Sequence, residues 1–430
     1  MKNSVRVKIP FGKGVIGLEL PRERLLGVLQ KRHGPAKTIG GMIERSLATR
    51  AAKSALKDAL GKVGAKLLIV VPDSTRSAHL KDILPALLKR IKGRASSVEI
   101  IVATGLHKKH DRPRIEDILG KAVCNAVKVS SHSQDASCLE RRGVTSLGIP
   151  VVLNKKLNSY DSVMTVGVIE PHLYAGYSGG AKTVAIGLAG EETINATHSV
   201  RFLDHPGTAI DSVEPNPFQK TLWEILGDIR VTFTVNCVND SEGKAIAVFS
   251  GSVREVFARG SGFAKDAFGV NVNIQSDIVV AGVGYPKDVN LYQASRAINY
   301  VLDVERPVLR RGGALIVAAA LRDGIGDGVT EKRFYEALSG MSSPREFVEK
   351  TRRRGCIAGE HRAYMVARPM QHYNIILVTR AKSILRKKLP FPCFDNINEA
   401  MMRAEEIAGT AATIYAIPRA LSTIACLNNK

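Results

Sequence analysis

Short apolar runs that alternate with amphipathic stretches set the pattern of this chain. The first three runs are rich in β-branched residues and each precedes a helical pattern; they span residues 66–72, 98–104 and 162–169. Runs of this length between helices are typical of parallel strands that are buried on both faces. The pattern therefore predicts an α/β domain in the first part of the chain.

The same pattern starts again after Ser261 and Gly262, with four further apolar runs at residues 276–282, 313–319, 373–379 and 412–417. We predict two α/β domains with mainly parallel sheets, at residues 1–272 and 273–430, and an active-site cleft between them. In open α/β sheets, ligands bind beyond the carboxyl ends of the strands. Residues that directly follow a strand are therefore the first candidates for chemistry.

Length and composition agree with a two-domain globular protein. At 430 residues, the chain exceeds the size at which one core usually keeps growing. It has no apolar stretch long enough to span a membrane, and residues 1–10 alternate like a strand without the apolar block of a secretory signal. The six cysteines lie far apart with no Cys-x-x-Cys pair, which predicts reduced thiols. We expect a cytoplasmic protein without a membrane partner.

The formal net charge of +22 is the one unusual property of the composition. A strongly positive protein raises the local concentration of anionic ligands and favours nonspecific contact with nucleic acid. Its basic residues lie in short scattered clusters, however, and only 5% of residues are aromatic, so no stacking platform for bases is apparent. Nucleic-acid binding is therefore not favoured as the main function.

Three turns that follow predicted strands carry candidate catalytic and binding groups. Asp73, Thr75 and Arg76 come directly after the first run, and suit either capping of the next helix or binding of hydroxyl and carboxylate groups. His107 follows the second run, and His172 follows the third. A histidine in such a turn suits general base work, although a structural hydrogen-bonding role is the commoner one. Two of them at the ends of strands in one sheet suggest two mirror-related proton transfers.

The most informative segment follows His172 and contains Ser178, Gly179, Gly180 and Lys182. Glycines let a backbone approach a phosphate closely, so this loop is a candidate phosphate cradle. Lys182 can neutralise such a phosphate or, if desolvated, attack a carbonyl as the neutral amine. His198 lies sixteen residues further on. The three histidines lack His-x-x-x-His spacing, so a metal site built from protein alone is the weaker interpretation.

The second domain contributes a segment that opens after a strand and continues into a helix. Gln293 and Arg296 lie three residues apart on that helix and share one face. An amide and a guanidinium side by side can bind a hydroxyl and a carboxylate, whereas a solvated Arg296 is the alternative.

Together, these motifs resemble the nickel-dependent lactate racemase family: Asp73-x-Thr75-Arg76, Thr104-Gly105-x-His107, Pro171-His172, Gly179-Gly180-x-Lys182, His198, and Tyr285-Pro286-Lys287-Asp288 with Gln293. They occur in the family's order and cover most of the chain. The resemblance implies an N-terminal domain that binds the cofactor and carries catalysis, and a C-terminal domain that closes over the substrate.

The resemblance also implies the cofactor and the residue roles. The cofactor would be a nickel-pincer nucleotide, a pyridinium-3-thioamide-5-thiocarboxylic acid mononucleotide that carries nickel and is loaded by cofactor-synthesis proteins. Lys182 would be joined to it through a thioamide, His198 would bind the nickel, and His107 and His172 would be the paired acid/base residues. The remaining positions would hold the nucleotide (Asp73, Thr75, Ser178, Gly179 and Gly180) or the substrate (Arg76, Tyr292, Gln293 and Arg296).

The implied reaction is racemisation or epimerisation of a 2-hydroxy acid. One histidine takes the hydroxyl proton while the C2 hydride passes to the cofactor, and return of the hydride to the other face inverts the centre. The chain departs from the family at Arg296, where the lactate-specific form has lysine, and at Lys108, where arginine is expected. Arginine is bulkier and bidentate, so Arg296 favours a different or larger 2-hydroxy acid than lactate.

Two other functions remain open from the residues alone. Lys182 could be the Schiff-base nucleophile of a lyase. Alternatively, the chain could be a polyanion-binding protein with a degenerate site, which would show steeply salt-dependent binding to nucleic acid.

Overall fold

The structure, a computed structural model, describes residues 4–31, 38–61, 64–227, 229–386 and 388–428. Its chain divides into two compact units. We call His33–Thr197 with His205–Ala267 the central unit, and Met1–Arg32, His198–Asp204 and Phe268–Lys430 the terminal unit, because the latter contains both ends of the chain. Each unit contains one six-stranded sheet.

The strands are mostly short, and in chain order they are β1 (Ser4–Phe11), β2 (Gly14–Pro21), β3 (Leu25–Val28), β4 (Ala65–Pro72), β5 (Ala95–Ala103), β6 (Lys128–Ser131), β7 (Leu139–Val144), β8 (Pro150–Asn154), β9 (Ser162–Val168), β10 (Pro171–His172), β11 (Gly176–Tyr177), β12 (Val231–Asn239), β13 (Ala245–Gly251), β14 (Gly269–Val272), β15 (Ser276–Gly282), β16 (Leu309–Ala318), β17 (Asn374–Val378), β18 (Cys393–Phe394), β19 (Ile414–Ile417) and β20 (Ile424–Leu427).

The α-helices lie between these strands, and in chain order they are α1 (Ile39–Ala48), α2 (Arg50–Leu60), α3 (Leu80–Ile91), α4 (Arg112–Leu119), α5 (Lys121–Ala126), α6 (Lys182–Ala185), α7 (Glu191–Thr197), α8 (Val200–Leu203), α9 (Pro217–Leu226), α10 (Val253–Phe268), α11 (Leu291–Ala294), α12 (Arg296–Leu302), α13 (Val329–Ser339), α14 (Pro344–Arg354), α15 (Glu360–Met370), α16 (Lys382–Leu385) and α17 (Ile397–Ala408). No helix among the described residues is long and apolar enough to cross a membrane.

The central unit is built on a sheet of order β13-β12-β9-β4-β5-β6. Its pairs are parallel except for β12 with β13, which is antiparallel. Every residue from Leu67 to Val71 is fully buried, and every residue of β9 is buried, because helices cover both faces of a parallel sheet. The apolar runs are therefore strands, as predicted, and β4, β5 and β9 lie side by side.

The terminal unit is built on a sheet of order β18-β17-β16-β15-β19-β3, in which all pairs are parallel. The four apolar runs after residue 272 correspond to β15, β16, β17 and β19. The prediction of an α/β protein with mainly parallel sheets is thus confirmed.

The structure differs from the predicted division of the chain at its beginning. Residues 1–32 were expected in the first domain, but β3 pairs with β19 at the edge of the terminal sheet. The β1–β2 hairpin joins the same core through Val7, Ile9, Leu18 and Leu20. The alternation of residues 1–10 predicts the strand β1, but it does not show that the β1–β2 hairpin packs on the core of the terminal unit.

Candidate active site

The turns that follow β4 and β5 bring Asp73 and His107 into direct contact. Asp73 Oδ2 lies 2.6 Å from His107 Nδ1, while Asp73 Oδ1 accepts hydrogen bonds from the backbone N–H of Thr75, at 3.0 Å, and its hydroxyl, at 2.5 Å. These contacts follow from the fold, because β4 and β5 are parallel neighbours whose carboxyl ends meet at one edge of the sheet. Thr75 and His107 together fix the orientation of the Asp73 carboxylate.

The carboxylate of Asp73 stays ionised although it is buried. Burial alone would raise its pKa, but the hydrogen bond and charge of His107, together with the hydrogen bonds from Thr75, lower the pKa to about 2. An ionised acceptor keeps the proton of the neutral imidazole on Nδ1 and leaves the lone pair on Nε2. The His107 side chain is 47% exposed, so Nε2 can act as a base towards a ligand.

His172 lies on β10, and its hydrogen bonds favour the tautomer opposite to that of His107. Its Nδ1 accepts hydrogen bonds from the backbone N–H groups of Tyr174 and Ala175, at 3.3 and 3.2 Å. A neutral imidazole that accepts at Nδ1 carries its proton on Nε2. His107 therefore presents an acceptor at Nε2 and His172 presents a donor, both within the central unit.

Arg76 forms an ion pair with Glu170, a partner that the sequence did not reveal. The Arg76 Nη1 and Glu170 Oε1 atoms are in contact, and the two side chains are only 21% and 17% exposed. Glu170 follows β9, the strand beside β4, so its position at a strand end was the available signal. Any carboxylate that binds Arg76 must share the guanidinium with Glu170.

Lys182 begins α6 and carries a strongly perturbed amine. Burial, followed by the positive charge of Arg76, lowers the pKa of Lys182 to about 7, while Asp73 acts in the opposite direction. A lysine with an ordinary pKa is almost fully protonated at neutral pH. Lys182 instead holds a large fraction of neutral amine there, which is the nucleophilic form.

The Ser178-Gly179-Gly180 loop is tightly integrated into the protein. The Ser178 hydroxyl donates to the Val168 carbonyl at 2.8 Å and accepts from the Glu170 N–H at 3.1 Å. Both glycines have positive φ, at 85° and 54°. A Cβ on Gly179 would lie 2.8 Å from an Ile169 carbon, and one on Gly180 would lie 2.8 Å from the Phe257 ring. Packing alone therefore requires glycine at both positions.

Asn236 on β12 has a buried acceptor beside this loop. Its Nδ2 donates to the Thr234 hydroxyl at 2.6 Å, but within the described part of the chain its Oδ1 receives no hydrogen bond. A Cβ on Gly179 would lie 3.0 Å from that oxygen. Buried acceptors normally have a donor, so Asn236 Oδ1 is a candidate contact for a ligand that the sequence did not indicate.

In the terminal unit, the predicted substrate segment forms α11 and the start of α12. Asn290 caps α11 by accepting from the Gln293 N–H at 2.9 Å, and Arg296 Nε donates to the Gln293 carbonyl at 3.1 Å. Tyr292 packs edge-on against Phe334, with the ring centroids 5.6 Å apart. The backbone carbonyl of Gln293 therefore orients the Arg296 side chain, which lies three residues further along the chain.

His198 also belongs to the terminal unit, where it meets a second histidine. The rings of His198 and His361 lie 5.3 Å apart between centroids. Burial, then the charges of His198 and Arg362, lower the pKa of His361 well below its usual value. Among the described residues, no three His, Cys, Asp or Glu side chains are close enough together to hold a metal ion.

The comparisons with known proteins agree over nearly the whole chain. The lactate racemase N-terminal domain matches residues 11–211, and the lactate racemase C-terminal domain matches residues 271–425. The lactate racemase of Thermoanaerobacterium thermosaccharolyticum is 28% identical, with 97% of this chain and 98% of that protein covered. The lactate racemase of Lactiplantibacillus plantarum is also 28% identical, with 98% and 99% covered.

Two solved structures share the fold. The lactate racemase apoprotein from T. thermosaccharolyticum has a TM-score of 0.88 at 26% identity, with 98% of this chain and all of that chain covered. A protein from Thermotoga maritima has a TM-score of 0.67 at 18% identity, with 93% of this chain and all of that chain covered, which shows the fold alone. The chain therefore belongs to the lactate racemase family, and as a racemase it is an isomerase.

Proposed function

We propose that this protein racemises or epimerises a 2-hydroxy acid with the help of a nickel-pincer nucleotide joined to Lys182. The observation that carries the proposal is the pair of histidines in opposite tautomers, one with a lone pair at Nε2 and the other with an N–H at Nε2. A reaction that inverts a carbon centre through a planar state needs acid/base groups for both faces. His107 and His172 supply one of each.

Three features of the chain fit that cofactor. Lys182, with a pKa of about 7, has the neutral amine that covalent attachment requires. His198 provides imidazole, a ligand type that suits nickel. Asn236 Oδ1 is a buried acceptor beside Gly179 that a ligand N–H or hydroxyl would satisfy. When bound, the nickel-pincer nucleotide supplies an acceptor that takes the C2 hydride and gives it back.

The protein's own groups move the proton and hold the substrate. His107 Nε2 takes the hydroxyl proton, and the ionised Asp73 stabilises the imidazolium that results. For His172 to deliver a proton it must itself be an imidazolium, whose Nδ1–H would face the backbone N–H groups of Tyr174 and Ala175. We therefore expect those two backbone contacts to break when His172 is protonated.

Arg296 favours a substrate other than lactate. Its guanidinium is planar and can bind a carboxylate in a bidentate manner, which a lysine cannot do. The net charge of +22 further favours anionic ligands. We propose a 2-hydroxy acid larger than lactate, with a second anionic group.

The test is intact-protein mass spectrometry with nickel analysis after co-expression with cofactor-synthesis proteins. We expect a mass increment and stoichiometric nickel on the wild type and on a Lys220→Ala control, whose lysine is exposed on α9. The Lys182→Ala variant should show neither and should have no racemase activity. A wild type without increment, made under conditions that load a known lactate racemase, would refute the proposal.

The low pKa of Lys182 also suits a Schiff-base lyase, which is the second candidate. Borohydride treatment in the presence of carbonyl substrates would then trap an adduct on Lys182. We expect no adduct from a broad panel of 2-oxo acids and aldehydes. An adduct that forms with turnover would place the lyase ahead of the racemase.

A further inference from the structure

The segment His198–Asp204 packs with the terminal unit, and a network of charged and polar groups holds its last residue. The Asp204 carboxylate accepts hydrogen bonds from the Tyr364 hydroxyl, at 2.6 and 2.7 Å to its two oxygens, and from Arg352 Nε at 2.8 Å. Arg368 Nη1 adds a longer contact of 3.4 Å. We call Asp204, Tyr364 and Arg368 the Asp204 anchor.

The anchor is embedded in the protein rather than spread over its surface. Tyr364 is fully buried on α15. Arg368, on the next turn of that helix, also contacts the Leu203 carbonyl and forms an ion pair with Asp303, with an N–O distance of 3.0 Å. The buried Asn299 donates to Asp303 at 2.7 Å and so extends the network to α12. Arg352, by contrast, is 52% exposed, and solvent weakens its contribution.

The other end of the same segment is His198, and the short helix α8 lies between His198 and Asp204. Its ring lies against the buried His361, and the Cys356 thiol lies 3.9 Å from its carbonyl oxygen. Phe202 and Leu203 are buried between the two ends. His198 and Asp204 are therefore the two ends of one short segment, and each end has its own contacts in the terminal unit.

We propose that Asp204, through Tyr364 and Arg368, is a positioning residue for His198. The anchor then sets how tightly the metal ion is retained, without being needed for attachment of the cofactor at Lys182. This inference rests on the proposed function, because it takes His198 as the nickel ligand. Groups that hydrogen-bond a metal ligand typically change metal affinity by about 10- to 100-fold when they are replaced, and we expect the low end of that range for Asp204 because it acts through the segment.

The experiment uses full-length protein loaded by co-expression. Denaturing mass spectrometry measures the fraction of chains that carry the increment on Lys182, and nickel release to a chelator is timed on the native protein. For Asp204→Asn, we expect an unchanged increment and nickel release about tenfold faster or more. Tyr364→Phe removes one hydroxyl and keeps the buried ring, so it should fold and show a smaller acceleration.

Glu349→Gln serves as the control, because it removes an exposed ion pair with Arg345 on the neighbouring helix α14. It should release nickel at the wild-type rate. Wild-type release rates in both anchor variants, even with lowered melting temperatures, would show that the anchor is structural only and would overturn the inference. A wild type that carries no increment on Lys182 would overturn the proposed function and this inference with it.

Discussion

Burial is the main cause of the low pKa of Lys182, and two charges act on the amine in opposite directions. Arg76 lowers the pKa further and Asp73 raises it. The sequence places Lys182 after a glycine-rich loop but leaves its role open, since desolvation depends on packing that no local pattern encodes. The sequence did not predict the contact between Arg76 and Glu170 either, because that contact also depends on tertiary packing.

The ionisation of Lys182 can be measured through its reactivity in protein without cofactor. Because the native pKa is about 7, acylation of Lys182 should rise through pH 7 and then level off, whereas surface lysines continue to gain reactivity up to about pH 10. Arg76→Met removes the positive neighbour and should move the midpoint upward. Peptide mass spectrometry after timed acetylation gives the profile. An unchanged midpoint would mean that burial alone lowers the pKa, and Arg114→Met is the control with an exposed arginine.

At the scale of the elements, the order of the strands explains why part of the site was predictable. Parallel strands β4, β5 and β9 are neighbours, so the turns that follow them deliver Asp73, His107 and His172 to one edge. Apolar periodicity reveals such strands and therefore the turns. It does not reveal contacts with distant elements, such as that of His198 with His361 on α15, or the break between α11 and α12 at Ser295.

The same sheet contains a buried carboxylate that should govern the acid stability of the central unit. Glu99 on β5 contacts Lys156 and accepts from the hydroxyl groups of Tyr160, at 2.5 Å, and Ser130, at 2.7 Å. Burial alone would raise the pKa of Glu99, but these partners lower it to about 2 from the ordinary 4.5. The stabilisation is therefore present above pH 4.5 and is lost as the pH falls towards 2.

We expect Glu99→Gln to lower the free energy of unfolding by about 2 kcal/mol at pH 7, because it weakens the hydrogen bonds that the charged carboxylate accepts from half-buried partners. The difference from wild type should shrink as the pH falls from 4.5 towards 2. Urea titrations at several pH values provide the measurement. Glu192→Gln, which breaks an ion pair with Arg141 that is more than half exposed, should cost less than about 1 kcal/mol. A pH-independent difference would contradict the assigned role of Glu99.

At the scale of the whole molecule, the net charge of +22 has a consequence for kinetics rather than for fold. A positive protein attracts anionic substrates, and salt screens this attraction over a Debye length of about 8 Å at physiological ionic strength. We predict that kcat/KM falls as salt is added, more steeply for a 2-hydroxy dicarboxylate than for a monocarboxylate, while kcat stays constant. Steady-state assays at a series of KCl concentrations test this. Equal slopes for both substrates would show that the charge does not guide the substrate.

The apolar runs predicted two α/β domains, but the path of the chain between the units lies beyond sequence patterns. The four-residue strand β3 pairs with β19, which is formed by residues far along the chain, and no local pattern encodes that partner. The return of His198–Asp204 to the terminal unit has no local signal either, because the groups that hold Asp204 lie more than 140 residues later.

Because β3 pairs with β19, β3 can be buried only late in the synthesis of the chain. Arg24, next to β3, donates to the carbonyl of Ala412, which lies 388 residues further along the chain. At about 5–20 residues per second on the ribosome, Arg24 and β3 wait roughly 20–80 s for this partner. Throughout that time the central unit can fold, whereas the β1–β2 hairpin has its apolar face uncovered and is a target for chaperones. The β1–β2 hairpin and β3 are thus buried only after residues far along the chain have been made.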